Sequence, residues 1–284
     1  MTKHLNRKLS NRARIGYRNW NKGETMRIPT SRRSLPHLAS SAVALPLLPI
    51  GTARASEKEG PLGVLDLWNG HPPGTTPQTF DGRPVISEAV PGAWWQAVLD
   101  DEPRLYSAYA EAARRLVDRG AVAISSGCGF TVRYQEAVAA AVKVPVSTGS
   151  LLFAPTVIRH LPPQTKLGVL TAHEKYVGTD LLGVLHDPAE RARVVVDGIS
   201  GSLLVKGELM CPTVELGTDE DTERHLTAAV HRLRAAHPDI GAFIFECSEF
   251  PRPALKLRRM TGLPIYDHHT CRRLMLGAMM NDDV

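Results

Sequence analysis

Residues Ala121 to Phe130 read Ala-Val-Ala-Ile-Ser-Ser-Gly-Cys-Gly-Phe, an apolar run that ends abruptly in serines, glycines and one cysteine. Ala and Val then recur at helical spacing between Arg133 and Val142. The pattern predicts a buried parallel strand, a tight glycine-flanked turn and the start of a helix. Cys128 falls at the carboxyl end of that strand, facing backbone N–H groups and the positive end of a helix dipole, so its thiol is expected to ionise more easily than usual. The same pattern returns 119 positions later in Gly241-Ala-Phe-Ile-Phe-Glu-Cys247-Ser-Glu-Phe-Pro251, with a helix from about Pro253. That separation is too long for a metal finger and suits two half-domains.

The rest of the chain alternates in the same way. Leu62 to Leu67 is a first strand, followed by a long turn-rich loop from Trp68 to Pro77; Val85 to Val90 is a second. Pro103 opens a helix whose apolar face carries Leu105, Tyr109, Ala112, Leu116 and Val117, and Gly120 stops it. After Cys128 and its helix come a short strand at Val144 to Ser147 and a helix from Leu151 to Leu161. Beyond Pro162-Pro163, Lys166 to Thr171 starts a second series, which continues through 176–185, 193–196 and a helix from Asp221 to Ala236. The strand to Cys247, a strand at 263–267 and a last helix from His268 to about Met280 close it. Strands separated by helices predict an α/β fold with parallel sheets. The expected division is an extension at 1–55, a first α/β domain at 56–162 with 268–284, and a second at 163–267. Open α/β sheets hold ligands outside the carboxyl ends of their strands, so the site is expected in the cleft between two similar halves.

Charge separates the N-terminus from the rest. Of 34 Lys and Arg and 29 Asp and Glu, residues 1–55 hold eleven and one, leaving 23 and 28 in the remainder. The remainder is mildly acidic and has no basic stripe interleaved with aromatics, which argues against nucleic-acid binding. The N-terminus instead combines Arg32-Arg33, a modestly apolar run from Leu35 to Ile50, and Ala53-Arg54-Ala55. These are the parts of a secretory signal of twin-arginine type, with Met26 as an alternative start. The run is too short, and too broken by Pro46 and Pro49, to span a membrane. The expectation is a periplasmic or secreted protein, or a cytoplasmic one should the segment be a plain basic tail.

Five motifs in order carry a resemblance: Ser125-Ser-Gly-Cys-Gly-Phe130, Val144-Pro-Val-Ser-Thr-Gly-Ser-Leu151, Lys166-Leu-Gly-Val-Leu-Thr171, Glu246-Cys-Ser-Glu-Phe-Pro251 and Gly262-Leu-Pro-Ile-Tyr-Asp267. From about residue 61 to 280 the chain resembles the aspartate/glutamate racemase family, and within it the Asp/Glu/hydantoin racemase branch. The resemblance implies two α/β domains related by pseudo-twofold symmetry, no cofactor, and Cys128 and Cys247 as a catalytic pair facing across a cleft. The chain departs from the family where Gly129-Phe130 stand in place of Asn-Thr after the first cysteine, and where Ser248-Glu249 follow the second in place of the usual Thr. The chemistry therefore transfers better than the substrate.

Two cysteines suit inversion at a carbon α to a carboxylate, because one face needs a base and the other an acid, each with a pKa near the working pH. The substrate carboxylate is expected against N–H groups at the helix starts. Ser126, Gly129, Thr148, Ser248 and Glu249 are candidates to complete its binding, with Asn69 reaching in from the first loop. Near the cysteine motifs in sequence, the arginines are Arg133 and Arg252. Cys211 and Cys271 lack a turn or strand-end context and read as packing or surface residues. His173, and His268-His269 after a strand end, are further candidates to touch substrate or to be ordinary surface or supporting histidines, and they have no second ligand at metal spacing. The expected function is a cofactor-independent racemase or epimerase of a small carboxylate, a homodimer being one expected assembly. The alternatives are an isomerase or decarboxylase of a dicarboxylic acid, and a silent binding module on the same scaffold.

Overall fold

A computed structural model describes residues 60–68, 79–205 and 219–279. The N-terminal extension, Asn69 with its loop, and Cys211 lie outside the described residues. Two sheets organise the rest. The first comprises β1 (Leu62–Leu67), β2 (Thr79–Phe80), β3 (Arg83–Val90), β4 (Ala123–Ser126) and β5 (Val146–Ser147), in the order β2-β3-β1-β4-β5. The second comprises β6 (Lys166–Thr171), β7 (Val194–Gly198), β8 (Ile240–Phe245) and β9 (Ile265–Tyr266), in the order β7-β6-β8-β9. Every pairing is parallel except β2 with β3.

Without the edge hairpin strand β2, the two sheets have one topology: the first strand of each half is flanked by its second and third, and the fourth lies outside the third. The chain therefore reverses direction across each sheet between β1 and β4, and again between β6 and β8. Cys128 and Cys247 follow β4 and β8, so each stands at the reversal point where open parallel sheets bind ligands. The correspondence extends to single bonds. Gly127 N–H donates to Leu65 O (2.9 Å) and Glu246 N–H to Leu170 O (2.8 Å), each one residue before its cysteine.

Helices cover the sheets as α/β architecture requires. They are α1 (Trp95–Leu99), α2 (Arg104–Asp118), α3 (Gln135–Ala141), α4 (Ala154–His160), α5 (Pro188–Arg191), α6 (Asp219–Ala236), α7 (Pro251–Thr261) and α8 (His268–Gly277). Leu105, Tyr109, Ala112, Ala113 and Leu116 form the buried face of α2, and Gly120 just beyond it takes φ +93°, the left-handed conformation that ends helices. One core joins α2 and the first sheet to α4 and one face of β6 and β8, through Ile124, Ile158, Val169 and Ile244. A second core packs the other face of the second sheet under α6 and α7, through Phe243, Phe245, Leu226 and Leu257. β6 and β8 are buried nearly throughout, so they read as continuous apolar runs and not as alternating ones.

The structure differs from the sequence reading in three places. The tight turn expected after Cys128 is a 3₁₀ segment, Gly129–Tyr134, and the helix expected between Arg133 and Val142 is the short α3. Phe130, Thr131 and Val132 are weak helix formers and all are buried, so packing sets their conformation. A 3₁₀ turn at Ser150–Phe153 likewise precedes α4. Between Val177 and Asp187 the chain turns irregularly, with Leu181 and Leu182 at positive φ, and satisfies the core by burying Leu181 and Leu185. The proline pair between the two series is braced: Arg193 donates to Thr165 O (3.0 Å), Leu161 O (3.3 Å) and Pro162 O (2.8 Å).

Candidate active site

The turns that carry Cys128 and Cys247 touch. Ser248 Oγ donates to Gly127 O across the two halves at 2.6 Å, and Ser150 Oγ donates to Phe245 O at 2.7 Å. Gly129 explains the closeness: a Cβ there would lie 2.0 Å from Glu246 Oε1 and 2.1 Å from Glu246 O. Only glycine lets the Cys128 turn approach the Cys247 strand end so nearly. The residues on either side of Cys128 are thus in contact with the residues on either side of Cys247. Both carry thiols that are not joined in a disulfide.

The residues around the pair are largely spent on holding it. The Ser126 hydroxyl sits between the carbonyl oxygens of Cys128 (2.8 Å) and Thr148 (2.5 Å). Thr148 donates from N and Oγ1 to Gln135 Oε1 (3.0 and 2.7 Å), and Gln135 Nε2 donates to Val146 O. Ser126, Thr148 and Ser248 therefore shape the backbone at the strand ends, while Gly129 provides the close approach. Glu249 is exposed beside the second turn. Glu246 is only 1% exposed; its Oε2 accepts from Thr171 Oγ1 at 2.8 Å, so it braces the strand ends.

Two side chains near the pair lie far from it in sequence. Arg272 on α8 donates from Nε to Ser125 Oγ (3.1 Å) and from Nη2 to Ser126 O (2.9 Å), across more than 140 residues. Burial weakens its hold on a proton, while Asp66, Cys271 and Glu249 act the other way. His268, at the start of α8, bonds through Nε2 to Glu246 O at 2.9 Å. Burial, and then Arg272, push its pKa down to about 3, so it is neutral near pH 7, with Nε2–H donating and Nδ1 unprotonated. The arginines adjacent to the cysteine motifs are engaged elsewhere: Arg133 with Asp101 and Leu99 O, and Arg252 with Asp219. His268 is marked in the sequence by its place after a strand end, whereas the polar run that contains Arg272 reads equally as a solvated face.

An aromatic cluster flanks the cysteine turns. Trp95 stacks on His173 with centroids 5.5 Å apart and rings 8° from parallel, and Phe130 and Tyr176 approach the same imidazole edge-on. Trp95 and Phe130 follow strand ends of the first sheet and His173 follows β6, so the cluster joins the two halves. Cys271, by contrast, is buried, and its thiol pKa is pushed up to about 12, first by burial. A cavity of about 220 Å³ between β2 and α8, lined by Phe80, Asp81, His269, Arg272 and Arg273, contains neither strand-end cysteine. Among the described residues, no three His, Cys, Asp or Glu side chains converge as a metal site, and no helix is long and apolar enough to cross a membrane.

No family model matches the chain. It is similar to a dimethylsulfoniopropionate lyase of Durusdinium sp. clade D, 29% identical over 226 residues that make up 74% of this chain and 72% of that protein. It is also similar to dimethylsulfoniopropionate lyase 3 of Emiliania huxleyi (strain CCMP1516), 23% identical over 78% of this chain; there it spans 60% of the relative's length. Among solved structures it resembles unliganded arylmalonate decarboxylase, with a TM-score of 0.48 and 15% identity over 79% of this chain and 94% of that one. It also resembles the Picrophilus torridus aspartate racemase, with a TM-score of 0.48 and 11% identity over 78% and 93%. A third is the glutamate racemase from Aquifex pyrophilus, with a TM-score of 0.47 and 17% identity over 78% and 84%.

Proposed function

We propose that this chain is a cofactor-independent carbon-acid lyase that removes the proton α to a carboxylate and expels a leaving group from the β carbon. The observation that carries the reading is the contact between two cysteine-bearing strand ends that are unequal in exposure, Cys128 half-buried and Cys247 only 7% exposed. An acid–base thiol at a strand end serves any reaction that starts by removing an α proton. The two sequence relatives direct the choice of substrate to dimethylsulfoniopropionate.

In that reaction a thiolate takes the α proton. The C–H electron pair becomes the new carbon–carbon double bond, and the β carbon–sulfur bond breaks with its pair going to sulfur. The products are acrylate and neutral dimethyl sulfide, and the thiol returns its proton to solvent. Cys128, the more exposed of the two, is the better placed to make that return, so it is assigned the base. Cys247 lies on the enclosed side, where a thiol donates to the carboxylate as charge builds on it.

A second reading, racemisation of a small amino acid or related acid, is favoured by the equivalent placement of the two cysteines in the repeated topology. One assay on the wild-type protein separates the readings. Dimethyl sulfide with acrylate in equal amounts supports the lyase. Enantiomer interconversion without fragmentation supports the racemase, carbon dioxide from a dicarboxylic acid supports a decarboxylase, and binding without turnover supports a silent module. Export by the twin-arginine-type segment belongs to the same proposal; mature protein beginning near Ser56, and accumulation of precursor in Arg32→Lys, Arg33→Lys, test it. A homodimer is tested by light scattering on the mature protein.

A further inference from the structure

We propose that α8 is the element that sets the spacing of the two cysteines, with His268 and Arg272 as its positioning residues. They are four apart, so they project from one face of the helix. His268 reaches the carbonyl of the residue before Cys247, and Arg272 reaches the carbonyl two residues before Cys128. Ser126, whose carbonyl Arg272 holds, places its own hydroxyl 2.8 Å from Cys128 O. A single helical turn is thus fastened to both strand ends. The helix itself is fixed at its start: Asp267 accepts from Thr270 N and Oγ1 (2.8 and 3.0 Å) and pairs with Arg258 on α7 at 2.7 Å.

Generic packing does not account for this arrangement. Arg272 is 8% exposed and His268 1%, and an apolar side chain would fill either space without removing a polar group from water. Instead both side chains spend donors on main-chain oxygens of the two cysteine strand ends. The neutral His268 supplies one directional bond and the guanidinium fork supplies two.

The inference rests on the reading that both thiols act on one substrate, yet its test needs no substrate. The full chain is treated with a short bismaleimide, and Cys128–Cys247 bridging is quantified by peptide mass mapping. Wild type and the control Leu274→Ala, on the exposed face of α8, are expected to bridge equally. Arg272→Met and His268→Leu are expected to bridge about tenfold less, the effect of losing an anchoring hydrogen bond at a buried site. His268→Gln, which keeps a donor, is expected to restore bridging, whereas Arg272→Lys, which loses the fork, is not. In turnover the same variants should lower kcat by a similar factor and leave KM nearly unchanged. Wild-type bridging in folded Arg272→Met and His268→Leu overturns the proposal; if those do not fold, wild-type bridging in Arg272→Lys overturns it. No bridged product from the wild type overturns it as well. Bridging that follows the variants as expected, in a protein that does not turn over dimethylsulfoniopropionate, supports the clamp and removes the lyase reading instead.

Discussion

The Cys128 and Cys247 turns occupy equivalent places in two sheets of one topology, yet they are built differently. Cys128 stands between two glycines, is half-buried and leads into a 3₁₀ segment. Cys247 stands between Glu246 and Ser248, is buried, and is followed by the eleven-residue α7. In the first turn small residues allow close approach. In the second, larger polar residues meet the first turn, with Glu246 filling the space beside Gly129 and Ser248 donating to Gly127 O. Duplicated topology therefore brings two cysteine-bearing turns into contact, while the local sequence makes them inequivalent. A pair of that kind favours a directional reaction over one that treats both faces of a carbon alike.

The largest expected effect breaks the comparison outright. Cys128→Ala, at the assigned base, should reduce acrylate formation by about a hundred- to ten-thousand-fold. Cys247→Ala should reduce it less, since an eliminating enzyme needs its base more than its acid. Equal losses in an acrylate absorbance assay would restore symmetry to the pair and favour the racemase reading.

Gly129→Ala should follow in size. The added methyl meets both the backbone oxygen and the carboxylate of Glu246, and overpacking of this kind costs about 1–3 kcal/mol. Thermal unfolding should show a lower Tm, with activity falling further than stability because the two turns are forced apart. Gly82→Ala is the contrast: its φ of +81° strains any side chain, but it lies in the β2–β3 hairpin, so stability should fall without a specific loss of activity.

His268 sharpens the comparison through pH. Its pKa is about 3 in the fold and about 6.5 in an unfolded chain. Between those values the unfolded chain binds a proton that the fold refuses. The stability tied to neutral His268 is therefore complete above about pH 6.5 and is lost as pH falls toward 3. Urea titrations at pH 7, 6 and 5 should show His268→Gln losing less stability per pH unit than wild type, by up to about 1.4 kcal/mol.

The main strands were legible because β1, β4, β6 and β8 are short apolar runs stopped by polar or glycine residues, and α2 because its buried positions recur at helical spacing. The strand-end placement of both cysteines followed from those runs. What the sequence did not reveal was the support around them. Gly129, Ser126 and Ser248 read as ligand contacts when only their neighbours in sequence are known; the bonds that the two hydroxyls make to carbonyls of another strand or the other half, and the close approach that Gly129 allows, show only in the fold. Arg272 and Ser125 are 147 positions apart, and no local pattern links them. The 3₁₀ segment after Cys128 escaped for the same reason, since its conformation is set by what buries Phe130 and Val132.

The smallest expected effect belongs to Cys271. Its thiol lies 3.7 Å from Gly149 O, with its pKa held at about 12, so it should resist alkylation near pH 8 while Cys128 reacts. Cys271→Ala should leave the turnover rate nearly unchanged and cost at most about 1 kcal/mol of packing. A large loss of rate in that variant would move the acid–base chemistry from the strand ends to the last helix.

The most direct measurement is proton NMR of substrate turnover in deuterium oxide. The central claim is that the joined cysteine turns remove a proton from the carbon α to a carboxylate. The expected result with wild-type protein and dimethylsulfoniopropionate is vinyl signals of acrylate, with any substrate returned from the enzyme carrying deuterium only at the α carbon. Cys128→Ala should suppress both the vinyl signals and the exchange. Undiminished acrylate formation or undiminished α exchange in Cys128→Ala, or exchange at the β carbon in place of the α carbon, would contradict the claim.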